Sequence, residues 1–266
     1  MSKYLNLGTF LSKNKKFSVE LTFEEINKLL PQGNGLPDTA LTNTTWWANN
    51  NDGHSQANAW LENHSKVVNI DLEEKKVIFV NTEREPELKD KLFALKDMVD
   101  TIADAINKNA NKAALFCALA IPDICCQIEY GKSRSSGKDY EKWYDENIFE
   151  YEYPNRSEDE KSNGFRKMNQ LDGQIIYLIR CKLFHEGSKN HAEVEKALIE
   201  KYEAEKRGKK VTLSFNLHAE GDVTGYSWSW DNENFNVSIY ISPKSMAENL
   251  MWTAEGVLRD YKIIKG

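Results

Sequence analysis

Residues 88–130 constrain the fold more than any other stretch of the chain. From Leu88 to about Asn109, the residues Leu92, Leu95, Val99, Ile102 and Ile106 recur at helical spacing. Such a stripe describes a long amphipathic helix that must bury one face against a partner. The following segment supplies that partner, because Leu115, Phe116, Leu119, Ile124 and Ile128 make Lys112 to Tyr130 apolar almost all round, as at the centre of a bundle. Pro122 sits inside it and removes one backbone hydrogen bond, which predicts a kink that turns Asp123 off the regular face. A carboxylate placed there either orients an Arg or His across the bundle or caps freed backbone groups.

The chain after Tyr130 continues the helical pattern. Ser133–Gly137 reads as a flexible connection, Asp139–Phe149 as a short helix with an aromatic side, and 150–163 as a polar surface loop. Leu171–Phe184 is a long helix with Ile175, Leu178, Ile179 and Leu183 as core, and Gly187 is its expected terminator. These segments describe an up-and-down bundle with crossovers. His191–Tyr202 reads as a solvated helix. Val211–Leu217, Tyr226–Trp230 and Asn236–Ile241 alternate as strands, which predicts a small antiparallel sheet inserted at about 210–242. Ser242-Pro243 then starts a last helix, running to Tyr261, with Met246, Leu250, Trp252 and Leu258 as its apolar residues.

The N-terminal residues have a different grammar. A short helix over Tyr4–Leu11 is followed by an alternating strand, Phe17–Leu21. The capping box Thr22-Phe-Glu-Glu25 opens a helix with Ile26, Leu29 and Leu30 inward, and Pro31, Gly33, Gly35 and Pro37 close it. A second helix runs from about His54 to Asn63, and Val67–Val80 reads as a hairpin turning at 73–75. Helix, strand, helix, helix, hairpin is the element order of a winged helix-turn-helix. The charged, Pro-marked run Thr82–Glu87 is the expected boundary, giving a recognition domain at 1–82 and a helical bundle at 83–266. The fold class expected is α+β.

Two readings of the N-terminal aromatics stay open. In one, Trp46, Trp47, Asn49, Asn51, His54 and Gln56 face a groove or stack on a base, giving a nucleic-acid-binding set of Trp47, Asn49, His54 and Gln56. In the other, the tryptophans are core and the Asn-rich loop is only a turn. The runs Leu21–Ile26, Trp46–Asn49 and Gln56–Leu61 are similar to the motifs of a small bacterial accessory domain of uncharacterised function.

Bulk properties narrow the function. With 40% hydrophobic and 29% charged residues and a mean hydropathy of -0.64, the chain has a globular composition. The longest apolar run, Ala113–Ile124, is interrupted by Pro122 and Asp123, so no membrane span is expected. The run Met-Ser-Lys-Tyr-Leu-Asn has no apolar core of a leader, which points to a cytoplasmic protein. Cys117, Cys125, Cys126 and Cys181 lack Cys-x2-Cys spacing and read as buried thiols, so neither a metal nor another cofactor is expected. A net charge of -6 confines any nucleic-acid contact to local patches. One such patch is Lys206, Arg207, Lys209 and Lys210, either an exposed turn or an RNA-backbone contact.

The strongest chemical signal lies at the end of the 171–184 helix. Arg180 and His185 stand in its last turns, with Tyr177 one turn earlier and Glu186 just after. On an ideal helix five residues advance ~500°, so the two side chains point ~140° apart and ~7.5 Å apart along the axis. They do not share a face, and convergence needs the long Arg stem, local fraying before Gly187, a second protomer or Asp123. The helix C-terminus favours an imidazolium at His185.

This Arg-x4-His spacing, with the helices before it, resembles the ribonuclease motif of the HEPN superfamily. The run Tyr177–Gly187, with Ile121–Cys125 and Trp143–Asn147 upstream, is similar to an uncharacterised bacterial family as well, over roughly residues 88–265. The HEPN resemblance implies a metal-independent endoribonuclease of toxin or antiviral type. His185 would act as general acid/base and Arg180 would stabilise charge on the scissile phosphate, leaving 2′,3′-cyclic phosphate and 5′-OH ends. It implies a homodimer through the bundle helices, RNA as substrate, and DNA or protein contacts through 1–82. Asp123, Glu129, Tyr177 and Glu186 are supporting residues in this reading. Cys181 departs from the pattern, standing where the family often has a small polar residue. The alternative is a non-catalytic HEPN-like bundle that binds a protein, nucleotide or nucleic acid, with Arg180 paired to Asp123, Glu129 or Glu186. Pro122-Asp123 with Glu129-x2-Lys132 imitates a restriction-nuclease signature at the wrong spacing.

Overall fold

The protein is α+β in the computed structural model, which describes residues 2–149, 171–185, 192–202, 208–217 and 225–264. The chain folds into two compact units. The first comprises Met1–Ala94, Cys126–Arg134 and Val257–Gly266, and the second Leu95–Cys125 and Ser135–Gly256. The first unit therefore runs past the hinge expected at 82–87 and takes in two short later pieces.

The first unit begins with α1 (Leu5–Lys13), β1 (Ser18–Thr22) and α2 (Phe23–Leu29). The expected capping box is formed: the Thr22 hydroxyl accepts from the Glu25 N–H and the Glu25 carboxylate accepts from the Thr22 N–H. After α3 (Asp38–Thr42), the 3-10 turns Thr44–Trp47 and Ser55–Ala57, and α4 (Asn58–Leu61), the strands β2 (Ser65–Asp71) and β3 (Lys76–Asn81) make the expected hairpin. The sheet order is β1-β3-β2, antiparallel throughout. Trp47, Trp60, Phe23 and Phe79 pack together at centroid separations of 5.6 to 6.4 Å, Trp47 stacked on Phe23 and Trp60 and meeting Phe79 edge-on, in a core with Leu7, Leu11, Ile26 and Val77. Arg84 closes one flank, its guanidinium 3.8 Å from the Phe17 ring centroid while Nη1 donates to the Lys15 and Gly131 carbonyls. Gly131 has φ +64°, and a Cβ there would lie 2.6 Å from Lys16 Cα, so the position needs glycine twice over. Ser18 and Tyr261, 243 residues apart, join hydroxyls at 2.5 Å.

The long helix α5 (Glu85–Asn107) has the stripe the sequence predicts, with Leu92, Leu95, Val99 and Ile102 buried. The next segment departs from the expected kinked helix. It is two helices, α6 (Asn111–Ala118) and α7 (Ile121–Tyr130), separated at Leu119-Ala120. The reason lies in the position of Pro122: in the first turn of α7 its missing N–H has no intrahelical partner to lose, so proline begins a helix instead of bending one. The stretch Asn111–Tyr130 has a mean hydropathy of 1.4 over an 18-residue window, and half of that window is buried.

In the second unit, α8 (Gly137–Tyr144) opens on a capping box from Ser136 and Asp139 and continues into a π turn, Asp145–Phe149. α9 (Gly173–His185) packs along α8 with Ile175, Ile176, Ile179 and Leu183 inward. Its first turn is tied down by Asp145, whose carboxylate accepts from the Gly173 N–H at 2.7 Å. α10 (Ala192–Tyr202) follows, then β4 (Lys210–Asn216), β5 (Gly225–Trp230), β6 (Asn234–Tyr240) and α11 (Pro243–Asp260), which starts at buried Ser242 as expected.

The second sheet corrects the antiparallel expectation. Its order is β4-β6-β5, with β5 antiparallel to β6 but β4 parallel to it. Alternation fixes which residues share a face, not which strand lies alongside or in which direction. The tight turn after β5, where the Asp231 carboxylate accepts from the Glu233 and Asn234 N–H groups, commits β5 to one edge of β6. Lys210 N–H then donates to the Glu233 carbonyl, so β4 enters beside the start of β6 and must run with it. Trp252, one of the apolar residues of the last helix, is 54% exposed on α11.

Candidate functional site

The C-terminal half of α9 brings Arg180 to a carboxylate on another helix. Arg180 Nη2 lies 2.7 Å from Asp123 Oδ2, with the two side chains 25% and 17% exposed. Asp123 reaches this position because it stands in the first turn of α7, and its other oxygen accepts from the Ser135 hydroxyl at 2.7 Å. Of the two roles open to Asp123, the structure shows the carboxylate holding an arginine from another helix. Arg180 Nη1 lies 4.0 Å from Cys181 Sγ, while buried Nε has no hydrogen-bond acceptor among the described residues.

Electrostatics keep this group charged. Burial works against the Arg180 cation, but Asp123, with Cys181 and Tyr140, outweighs it, and the guanidinium stays above its usual range. A side-chain hydrogen bond with Cys181, followed by burial, holds the Tyr177 phenol above its ordinary value. The Tyr177 ring packs against Tyr140 at 5.3 Å, and buried Tyr140 donates to the Leu119 carbonyl at 3.0 Å. Arg180 also stands over the Phe184 ring, 5.7 Å from its centroid, and Phe184 meets Phe116 edge to face at 5.7 Å. A fixed cation beside exposed aromatic rings, backed by a carboxylate, can hold a phosphate group and orient it.

The other residues singled out in the sequence fall as follows. The side chain of His185, and Glu186, Lys206 and Arg207, lie outside the described residues. Glu129 belongs to the first unit, where its charge acts on the buried Tyr261 hydroxyl. Lys209 donates to the Asp231 carbonyl at 2.6 Å and so secures the β5–β6 turn, and Lys210 is exposed at the start of β4. Among the described residues no three His, Cys, Asp or Glu side chains gather as metal ligands.

Three of the four members of the N-terminal binding set hydrogen-bond backbone groups of their own unit. Trp47 is 1% exposed and its indole N–H donates to the Ala40 carbonyl, leaving no face for a base. Asn49 spends its amide on the Val67 backbone, donating to the carbonyl at 2.7 Å and accepting from the N–H at 2.8 Å. Gln56 is buried and donates to the Trp46 carbonyl at 2.7 Å. Backbone groups left unpaired by the sheet and the 3-10 turns must be satisfied, and these amides do so. His54 remains partly exposed, its Nδ1 3.3 Å from Gln56 Nε2.

Ser135, Tyr140, Phe116 and Phe184 are members of the Arg180 neighbourhood that sequence reasoning misses. Phe184 had a signal, standing four residues after Arg180 on one helix face. Ser135 and Tyr140 had none, since their place depends on how α7 and α8 pack.

Residues 4–82 match the family model described as Domain of unknown function (DUF7662). No curated protein and no solved structure matches the chain.

Proposed function

We propose that residues 83–266 form a HEPN-like, metal-independent endoribonuclease of bacterial toxin or antiviral type, and that residues 1–82 form a winged-helix-like recognition module. The observation that carries the catalytic reading is the Arg180–Asp123 pair at 2.7 Å. It holds the motif arginine charged and aimed, in the last turns of the helix that ends at His185. In this reading Arg180 stabilises charge building on the phosphorane, and His185 moves the proton of the 2′-OH or of the leaving 5′-oxygen. The order α1-β1-α2-α3-α4-β2-β3 with sheet order β1-β3-β2 supports the winged-helix comparison. The homodimer through the bundle helices and the cytoplasmic location belong to the same proposal.

The reaction needs a 2′-OH, so an RNA with a single 2′-deoxy substitution at the cleaved linkage should survive intact while the unsubstituted strand is cut in EDTA. Equal cleavage of both strands would remove the proposed mechanism. A second reading takes the same pair differently: Asp123 neutralises Arg180, as in a purely structural ion pair. In that case the bundle binds a partner without cutting it, and no RNA is cleaved by the wild-type chain.

A further inference from the structure

Resting on the phosphate-binding role of Arg180, we propose that Phe116 and Phe184 form a stacking platform for an unpaired nucleobase of single-stranded RNA, whose adjacent phosphate binds Arg180. Three observations converge. Phe116 and Phe184 are 38% and 48% exposed, large apolar rings left open to solvent on α6 and α9. They touch edge to face at 5.7 Å, so they present one continuous aromatic surface contributed by two helices. Arg180 lies 5.7 Å from the Phe184 centroid, and its charge is anchored by Asp123 at 2.7 Å. The row Phe116, Phe184, Arg180, Asp123, Ser135 therefore runs from aromatic to cationic to acidic. The first part of that row matches the base and phosphate of one nucleotide.

The size of the patch decides between a base and a protein partner. Taking about 200 Å² for a phenylalanine, the two exposures leave roughly 170 Å² of ring surface open. A stable protein partner covers about 800 Å² on each side, several times more, whereas one base needs only a ring-sized face. Stacking also tolerates any base, because each has a π face. The platform therefore predicts binding of single strands with little sequence preference and poor binding of duplexes, whose bases are already stacked. Arg180 adds a charge-dependent term that weakens as salt rises.

The test measures binding without chemistry. A fluorescent 2′-O-methyl single-stranded RNA, which cannot be cleaved through its 2′-oxygen, is titrated with the full chain and with Phe184→Leu, Phe116→Leu and Phe184→Trp. The leucine variants keep the apolar volume and should weaken binding about tenfold, within the range of a lost stack, while Phe184→Trp should restore it. One abasic position placed at the platform should weaken wild type by a similar factor and Phe184→Leu no further. Unchanged affinity in both leucine variants overturns the inference. So does a result in which those variants alter only the oligomeric state in sedimentation, which would make the patch a protein interface. If stacking-dependent binding is seen but unmodified RNA is never cut, the platform stands and the nuclease reading falls. If RNA is cut but the leucine variants leave binding and KM unchanged, the reverse holds.

Discussion

Asp123 shows how much of a residue's role is decided by what packs against it. Its carboxylate takes both the Ser135 hydroxyl and the Arg180 guanidinium in a setting where each ionic side chain is at least three-quarters covered. Asp123→Ala leaves that cation without its partner, and the cost should lie between that of an exposed pair and a buried one, about 2 kcal/mol. Urea denaturation checks this, with Asp123→Asn expected to lose less. Trp47 gives the contrasting case. Its indole is enclosed and hydrogen-bonded to Ala40, so Trp47→Ala should cost about 3–5 kcal/mol of stability. At concentrations where that variant is still folded, nucleic-acid binding should not change. A loss of binding with no loss of stability would revive the aromatic platform that the sequence permitted. Apolar and aromatic types alone could not separate these roles, since Trp47 and Phe184 read alike until burial distinguishes them.

At the scale of elements, local signals were legible and partnerships were not. The Thr22 capping box, the α5 stripe, the β2–β3 hairpin and the Ser242-Pro243 start all rest on contacts a few residues apart, and all are present. Pro122 is a breaker in both sequence and structure, but whether it kinks a helix or begins one depends on where the preceding helix ends, at Ala118. The parallel pairing of β4 with β6 was hidden because alternation carries no direction. The packing of α9 on α8 depends on Gly173, where a Cβ would lie 2.6 Å from Glu141 Cα and closer still to its carbonyl oxygen. Gly173→Ala should therefore cost about 2–3 kcal/mol, and amide exchange along α9 should quicken more than in α1 or α2. Uniform protection across these helices would contradict that account of the contact.

Across the whole molecule, the first compact unit is assembled from three separate stretches of chain. Sequence spacing put the boundary at 82–87, short of the end of the first unit's first stretch at Ala94, and could not foresee that Tyr261 would meet Ser18. Burial, followed by electrostatic effects that include Glu129, raises the Tyr261 phenol above its ordinary value despite the Ser18 bond. Unfolded tyrosine loses its proton near pH ~10, so above that pH the unfolded chain holds fewer protons than the native one and stability falls as pH rises. Denaturation between pH 8 and 11 should show this decline, and Tyr261→Phe should flatten it while losing the hydroxyl pair. The same range of scales limits the reading of function: the Arg-x4-His spacing was legible, the Asp123 support only half so, and the Phe116 neighbour not at all. The central claim is tested most directly by incubating the full chain, Arg180→Ala and His185→Ala with structured and single-stranded RNA in EDTA and identifying the product ends. The account predicts cleavage by wild type to 2′,3′-cyclic phosphate and 5′-OH ends, with each variant slower by at least about a hundredfold. No cleavage by wild type, a requirement for divalent metal, or equal rates for wild type and His185→Ala would contradict it.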